Sequence, residues 1–216
     1  MKILGIDTST GFAGVGLNVD GETSTAIWWS RHNHGREVMP AVMRLLDAAG
    51  IEVHDLDAVA VALGPGGFSA VRVGIATGQG LTTPTDGRLI GIPTHLIQAF
   101  PLRDEIDKRI VSLIPVGRRQ VSYGAFTGPV TAVDGPVDVG ICEIAEIGER
   151  FDNDATILCG EGAVETAPEE ADSRPVRDPH ALLAIALARI DRGLGVDDAP
   201  KPIYSRPPTI TAPKRV

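Results

Sequence analysis

Asp7, Thr8 and Ser9 close the apolar run KILGI, and Gly64, Pro65, Gly66 and Gly67 close a second one, DAVAVAL. Acid and hydroxyl side chains, or bare backbone N–H groups, at the end of a buried strand are what a phosphate or its counter-ion needs. The N–H groups that open a following helix lack partners and carry positive potential. The same residue types also make ordinary turns, because short polar side chains bond their own backbone. Residues 64–67 match neither G-x-G-x-x-G nor Gly-Lys-Ser/Thr, and no acid ends the next short apolar run, RLIGIP, where a ribose would need one. Ser69 lacks the trailing glycine of a nucleophile elbow, since Val71 stands there, and is expected in the first turn of a helix. The five histidines, His32, His34, His54, His95 and His180, include no pair four residues apart. No metal site is expected from them, and His32 and His34 are read as a solvated edge. No residue is assigned a catalytic role.

The elements that must position these residues follow from apolar periodicity. KILGIDTS, FAGVGLNV and TSTAIWWS, separated by Thr10-Gly11 and Asp20-Gly21, predict an antiparallel meander. Residues 36–49 place Val38, Val42, Leu45 and Leu46 at helical spacing and stop at Gly50, with Pro40 tolerable only near the first turn. DAVAVAL predicts a strand buried on both faces, followed by a helix over 68–81 and the strand RLIGIP. From Arg109 the order starts again: strands in RIVSLIPVG, QVSYGAFTG and VDVGICEI, a short helical stretch, the strand ATILCG, and a helix from Pro179 capped by Asp178 and closed by Gly193. Residues 201–216, rich in proline and carrying Lys201, Arg206, Lys214 and Arg215 without an acid, read as an extended tail.

Within the helix over 68–81, Ala70, Gly74 and Gly78 recur every four residues. Each glycine costs about 1 kcal/mol relative to alanine, so close packing must compensate. Spacing alone leaves open whether that packing is against the protein's own sheet or against a partner helix. The 216 residues, 43% of them apolar, suffice for a large core. A net charge of −8 repels nucleic acid over the surface as a whole, so RNA is expected to be met only through a partner. No run approaches the roughly 18 apolar residues of a membrane span, and Asp7 interrupts the first run too early for a signal peptide. A cytoplasmic protein is expected. Cys142 and Cys159 share no C-x-x-C spacing and are read as buried thiols.

Three strands, a helix, a strand and a helix, met twice, resemble the duplicated actin-like or Hsp70-like ATPase fold, with one α/β lobe over 1–100, a second over 101–200 and the tail over 201–216. Within that class, ILGIDTST, VMPAVMRLLDAAG, DLDAVAVALGPGGFSAVRVGIATGQGL and PIYSR resemble the TsaB (YeaZ) family of partner proteins in synthesis of the tRNA modification threonylcarbamoyladenosine. The resemblance implies a protein without activity of its own that pairs with the transferase TsaD and with TsaE, and that forms a homodimer when alone. It places the partner interface on the two helices, at Val38, Val42, Leu45, Ala70, Arg72, Gly74, Gly78 and Leu81. It makes Asp7, Thr8 and Ser9 a vestigial nucleotide site and the 64–67 turn a relic, with no nucleotide bound by the chain alone and ATP or ADP expected only at a surface shared with partners. Departures are visible: Gly67, Ser69 and Ala70 stand where the family has Ser, Thr and Gly, and Val116 replaces an acid in the second half. Ser205 in PIYSR replaces a leucine. The rival readings are a stand-alone actin-fold ATPase or sugar kinase, which needs a second acid that Val116 does not supply, and a peptidase, for which no base or oriented nucleophile is present.

Overall fold

The meander forms as the glycines dictate: β1 (Lys2–Asp7), β2 (Phe12–Val19) and β3 (Glu22–Trp29) pair antiparallel in sequence. Asp20 and Gly21 both take positive φ, 50° and 100°, the geometry that matches the twist of a tight hairpin. The computed structural model describes residues 1–85, 87–151, 155–166, 178–194 and 200–206. After the meander come α1 (His34–Ala49), β4 (Ala58–Ala62), α2 (Phe68–Thr82), β5 (Arg88–Ile92) and α3 (Thr94–Ala99). β4 lies parallel to β1 and β5 parallel to β4, giving the sheet order β3-β2-β1-β4-β5. Pro40 stands well inside α1 rather than in its first turn. It lies on the exposed side, where a curved helix opens its backbone to water and a missing N–H is best tolerated.

The second half repeats the pattern with β6 (Arg109–Pro115), β7 (Gln120–Thr127), β8 (Asp138–Glu143), α4 (Ile147–Phe151), β9 (Thr156–Cys159), α5 (Glu161–Thr166) and α6 (Pro179–Asp191). Its sheet order is β8-β7-β6-β9, with β9 parallel to β6. Asp178 caps α6 as expected, its Oδ1 accepting from the His180 N–H at 2.9 Å. This is the duplicated α/β arrangement of the actin-like class, with one strand fewer in the second copy among the described residues.

Two of the core clusters among the described residues bear on the site, while a third packs α4 on the second sheet. α1 and α2 cover one face of the first sheet through Val38, Val42, Leu45, Leu46, Val71 and Ile75, packed on Leu4, Ile6, Val59 and Val61. The opposite face meets α6, and beyond it α3 meets the second sheet, so that Leu96, Ile110, Leu182 and Ile185 share one cluster. The two halves therefore exchange helices: α6 packs on the first sheet, and a Cβ at Gly16 of β2 would come within 2.9 Å of Leu183 Cδ1. α3 packs on the second, where His95 bonds Ser112 of β6 and Ser122 of β7 at 2.9 and 3.2 Å. The strands divide near residue 100, and these two helices cross the division. Cys142 and Cys159 are buried free thiols, as expected, and burial raises the Cys142 thiol above its ordinary value.

Candidate functional site

Asp7, Thr8 and Ser9 sit at the carboxyl end of β1, directly against the turn that leads into α2. Asp7 Oδ1 accepts from both the Ser9 N–H, at 2.9 Å, and the Ser9 hydroxyl, at 2.6 Å. The Thr8 hydroxyl donates to the Ala70 carbonyl at 2.7 Å, and the Gly67 N–H donates to the Ser9 carbonyl at 2.7 Å. The two loops approach so closely that a Cβ on Gly66 would lie 2.0 Å from the Ser9 carbonyl oxygen, which only glycine permits. From the other side the chain near the C-terminus enters: Ile203 N–H donates to the Leu63 carbonyl at 2.7 Å, beside the cis Gly64-Pro65 bond. Ile203 and Tyr204 are thus held at the start of α2, with Lys201 and Arg206 exposed on either side. Residues 207–216 lie outside the described residues.

Between the two lobes lies a cleft of about 570 Å³, lined by Thr10, Gly11, Trp29, His34, Pro115 and Glu161 among others. Its floor is cross-linked. The Thr10 hydroxyl from the first lobe hydrogen-bonds the buried Glu161 carboxylate from the second, and His34 Nε2 lies 2.8 Å from the Thr10 carbonyl. His34 is therefore buried against the loop, not solvated as the sequence reading expects, while His32 is exposed with φ at 65°. Among the described residues no group of three or more metal-ligating side chains comes together. In the second lobe, the Val116 N–H donates to the Gln120 carbonyl at 2.9 Å and closes the 116–120 turn, with Arg118 and Arg119 exposed.

Phosphate needs backbone N–H groups turned toward it and a metal-holding acid opposite. Here the Gly67 N–H donates to the Ser9 carbonyl, the buried Asp7 carboxylate accepts from Ser9, and the buried Glu161 carboxylate accepts from Thr10.

The two helices carry the second candidate site, and here the structure corrects the sequence reading. Gly74 and Gly78 do not face outward. A Cβ on Gly74 would meet Thr8 Oγ1 at 2.6 Å, and one on Gly78 would meet Val61 Cγ1 at 2.5 Å and Leu89 Cδ1 at 3.0 Å. Their groove holds α2 close to its own sheet. Val38, Val42, Leu45 and Leu81 are likewise buried in the chain's own core, and Ala70 is half covered beside Thr8. Of the eight residues expected at a partner interface, Arg72 alone is exposed. The exposed residues include instead Met39 and Met43 on α1, 37% and 41% exposed, beside Arg36, Arg44 and Asp47, and Ala76 and Gly80 on α2 beside Arg72. A Cβ on Gly80 would meet nothing within 4 Å. The signal was present in the sequence: Gly74 and Gly78 fall on the same helical stripe as Val71, Ile75 and Leu81, which are the large apolar residues that need a core. Trp28 Nε1 donates to Glu37 at 2.9 Å and ties α1 to β3; hydrogen bonds from Ser30 and Trp28 hold the Glu37 carboxyl below its ordinary value.

Comparison with known proteins places this geometry. Residues 29–165 match the family model of TsaD, tRNA N6-adenosine threonylcarbamoyltransferase. The tRNA threonylcarbamoyladenosine biosynthesis protein TsaB of Haemophilus influenzae is 33% identical over 88% of this chain and 86% of its own length. The protein of the same name from Escherichia coli is 34% identical over 46% of this chain, and the match spans 43% of that protein. A crystal structure from Pseudomonas aeruginosa, of a protein described as similar to the peptidase YeaZ, superposes with a TM-score of 0.76 over 95% of this chain and 99% of that one, at 25% identity.

Proposed function

Since the chain belongs to the TsaB family of tRNA threonylcarbamoyladenosine biosynthesis proteins, we propose that it acts in that modification as a partner of the transferase TsaD, docking through the outward face of α1 and α2. The observation that carries this reading is the exposed face itself. Met39 and Met43, with Ala76 and Gly80 and a few charged side chains, are exposed on two adjacent helices whose buried sides are packed on the sheet. Methionine adapts to a partner's contours, and small residues let a second helix approach closely. A homodimer would use the same face, so self-association and pairing with TsaD compete. The test is reconstitution. Threonylcarbamoyl transfer to adenosine in tRNA, assayed with TsaD and TsaE from the same organism, is expected to need this protein, and size-exclusion chromatography is expected to show a one-to-one complex with TsaD. Transfer at full rate without it, or no complex at micromolar concentration, would remove the proposal.

We place any nucleotide requirement at the surface shared with partners and not in this chain's own cleft, a choice supported by the bonds that already engage Asp7, Gly67 and Glu161. Calorimetry of the isolated protein with ATP and magnesium is expected to give no binding tighter than millimolar. Micromolar affinity abolished by Asp7→Ala would restore the stand-alone ATPase. Among the described residues no helix is long and apolar enough to cross a membrane.

A further inference from the structure

We infer that the guanidinium of Arg72 is a preorganised receptor for a carboxylate on the docking partner, and that the C-terminal segment Ile203–Arg206 exists in part to hold it. The inference rests on the docking face proposed above. An arginine on an exposed helix ordinarily samples many rotamers, and fixing it costs entropy. Arg72 is exposed yet held on two sides. Its Cζ lies 3.8 Å from the centre of the Phe68 ring, and its Nε donates to the Tyr204 hydroxyl at 2.7 Å. Tyr204 in turn stacks on Phe68 with ring centres 4.8 Å apart and planes inclined at 29°. The backbone bond from Ile203 to Leu63 delivers that tyrosine to the start of α2.

The arrangement leaves a specific vacancy in bonding. Among the described residues Arg72 makes no salt bridge, and of its three nitrogens only Nε donates a hydrogen bond. The two terminal nitrogens form the planar fork that pairs with a carboxylate through two parallel bonds. Ser69, Arg72, Ala76 and Gly80 follow one another at spacings of three and four, so the fork lies on the outward stripe of α2, at the end nearest the tail. Exposed Lys201 and Arg206 flank Tyr204 in sequence and add positive charge to an otherwise acidic protein. A partner helix lying along the small residues and presenting an aspartate or glutamate at that end fits both features.

The test is a double-mutant cycle on binding of the full chain to TsaD, with thermal melts of each variant alone. Arg72→Gln is expected to weaken binding about tenfold or more and to flatten its salt dependence, with an unchanged melt. Tyr204→Ala is expected to weaken it by several-fold in the wild-type background and to do nothing further in the Arg72→Gln background, because the tyrosine acts through the arginine. Arg72→Lys, which keeps the charge but not the fork, is expected to recover little. Binding within twofold of wild type for Arg72→Gln, or additive losses in the cycle, overturns the inference while leaving the docking reading intact. A loss seen with tRNA and not with TsaD also overturns it. Failure of the wild-type chain to bind TsaD removes the docking reading and this inference together.

Discussion

Gly78→Leu is expected to lower stability by about 3 kcal/mol or more, at the upper end of what overpacking a core costs, whereas Gly80→Ala, two residues along the same helix, is expected to raise it by about 1 kcal/mol. At Gly78 the first carbon added already lies 2.5 Å from Val61 Cγ1 and 3.0 Å from Leu89 Cδ1. Val61 is fully buried in β4 and its branched side chain has few rotamers to yield into. The whole helix must therefore lift from the sheet, exposing Val71 and Ile75. At Gly80 the same carbon meets nothing, so alanine only removes glycine's backbone freedom in the unfolded chain. For a chain of this size these changes correspond to roughly a 6–12 °C fall and a 2–4 °C rise in Tm. Differential scanning calorimetry of the isolated proteins separates them. A Gly78→Leu variant that melts with the wild type would mean that α2 does not lie on its own sheet.

The second large effect concerns association alone. Met43→Asp combined with Ala76→Asp is expected to weaken binding to TsaD on the order of 100-fold, because burying unpaired like charge in an interface is costly. The melt of the isolated chain is expected to stay within about 2 °C, because both positions are exposed and surface changes away from caps and special backbone rarely exceed about 0.5 kcal/mol. Isothermal titration against TsaD, with sedimentation velocity of the variant alone, gives both readings. If the variant binds as the wild type does, the outward face of α1 and α2 is not the docking surface. If self-association persists while TsaD binding is lost, the two events do not share a face.

The order of strands and helices was legible because each rule involved is local: alternation and glycine turns for the meander, a 3.6-residue period ending at Gly50 for α1, an aspartate before Pro179 for α6. The family was legible for the same reason, through contiguous motifs. The six-residue α3 was not, since a stretch so short carries too little periodicity to declare itself, and its role is set by partners far away in sequence, Ser112 and Ser122.

The sequence by itself determined that Gly74 and Gly78 must meet something close, because a helix does not carry such residues without compensation. It did not determine what. A four-residue spacing is the same whether the neighbour is a partner's helix or the chain's own strand, and only the placement of β4 and β5 beneath α2 decides for the strand. The fate of PIYSR was decided in the same way. Nothing local in those residues says that Ile203 will bond Leu63, some 140 positions earlier. That contact depends on the first lobe having folded into a turn with the Leu63 carbonyl left to accept. Contacts between residues distant in the chain leave no period in the sequence, and in this protein they decide which helix face is inside and which is left exposed.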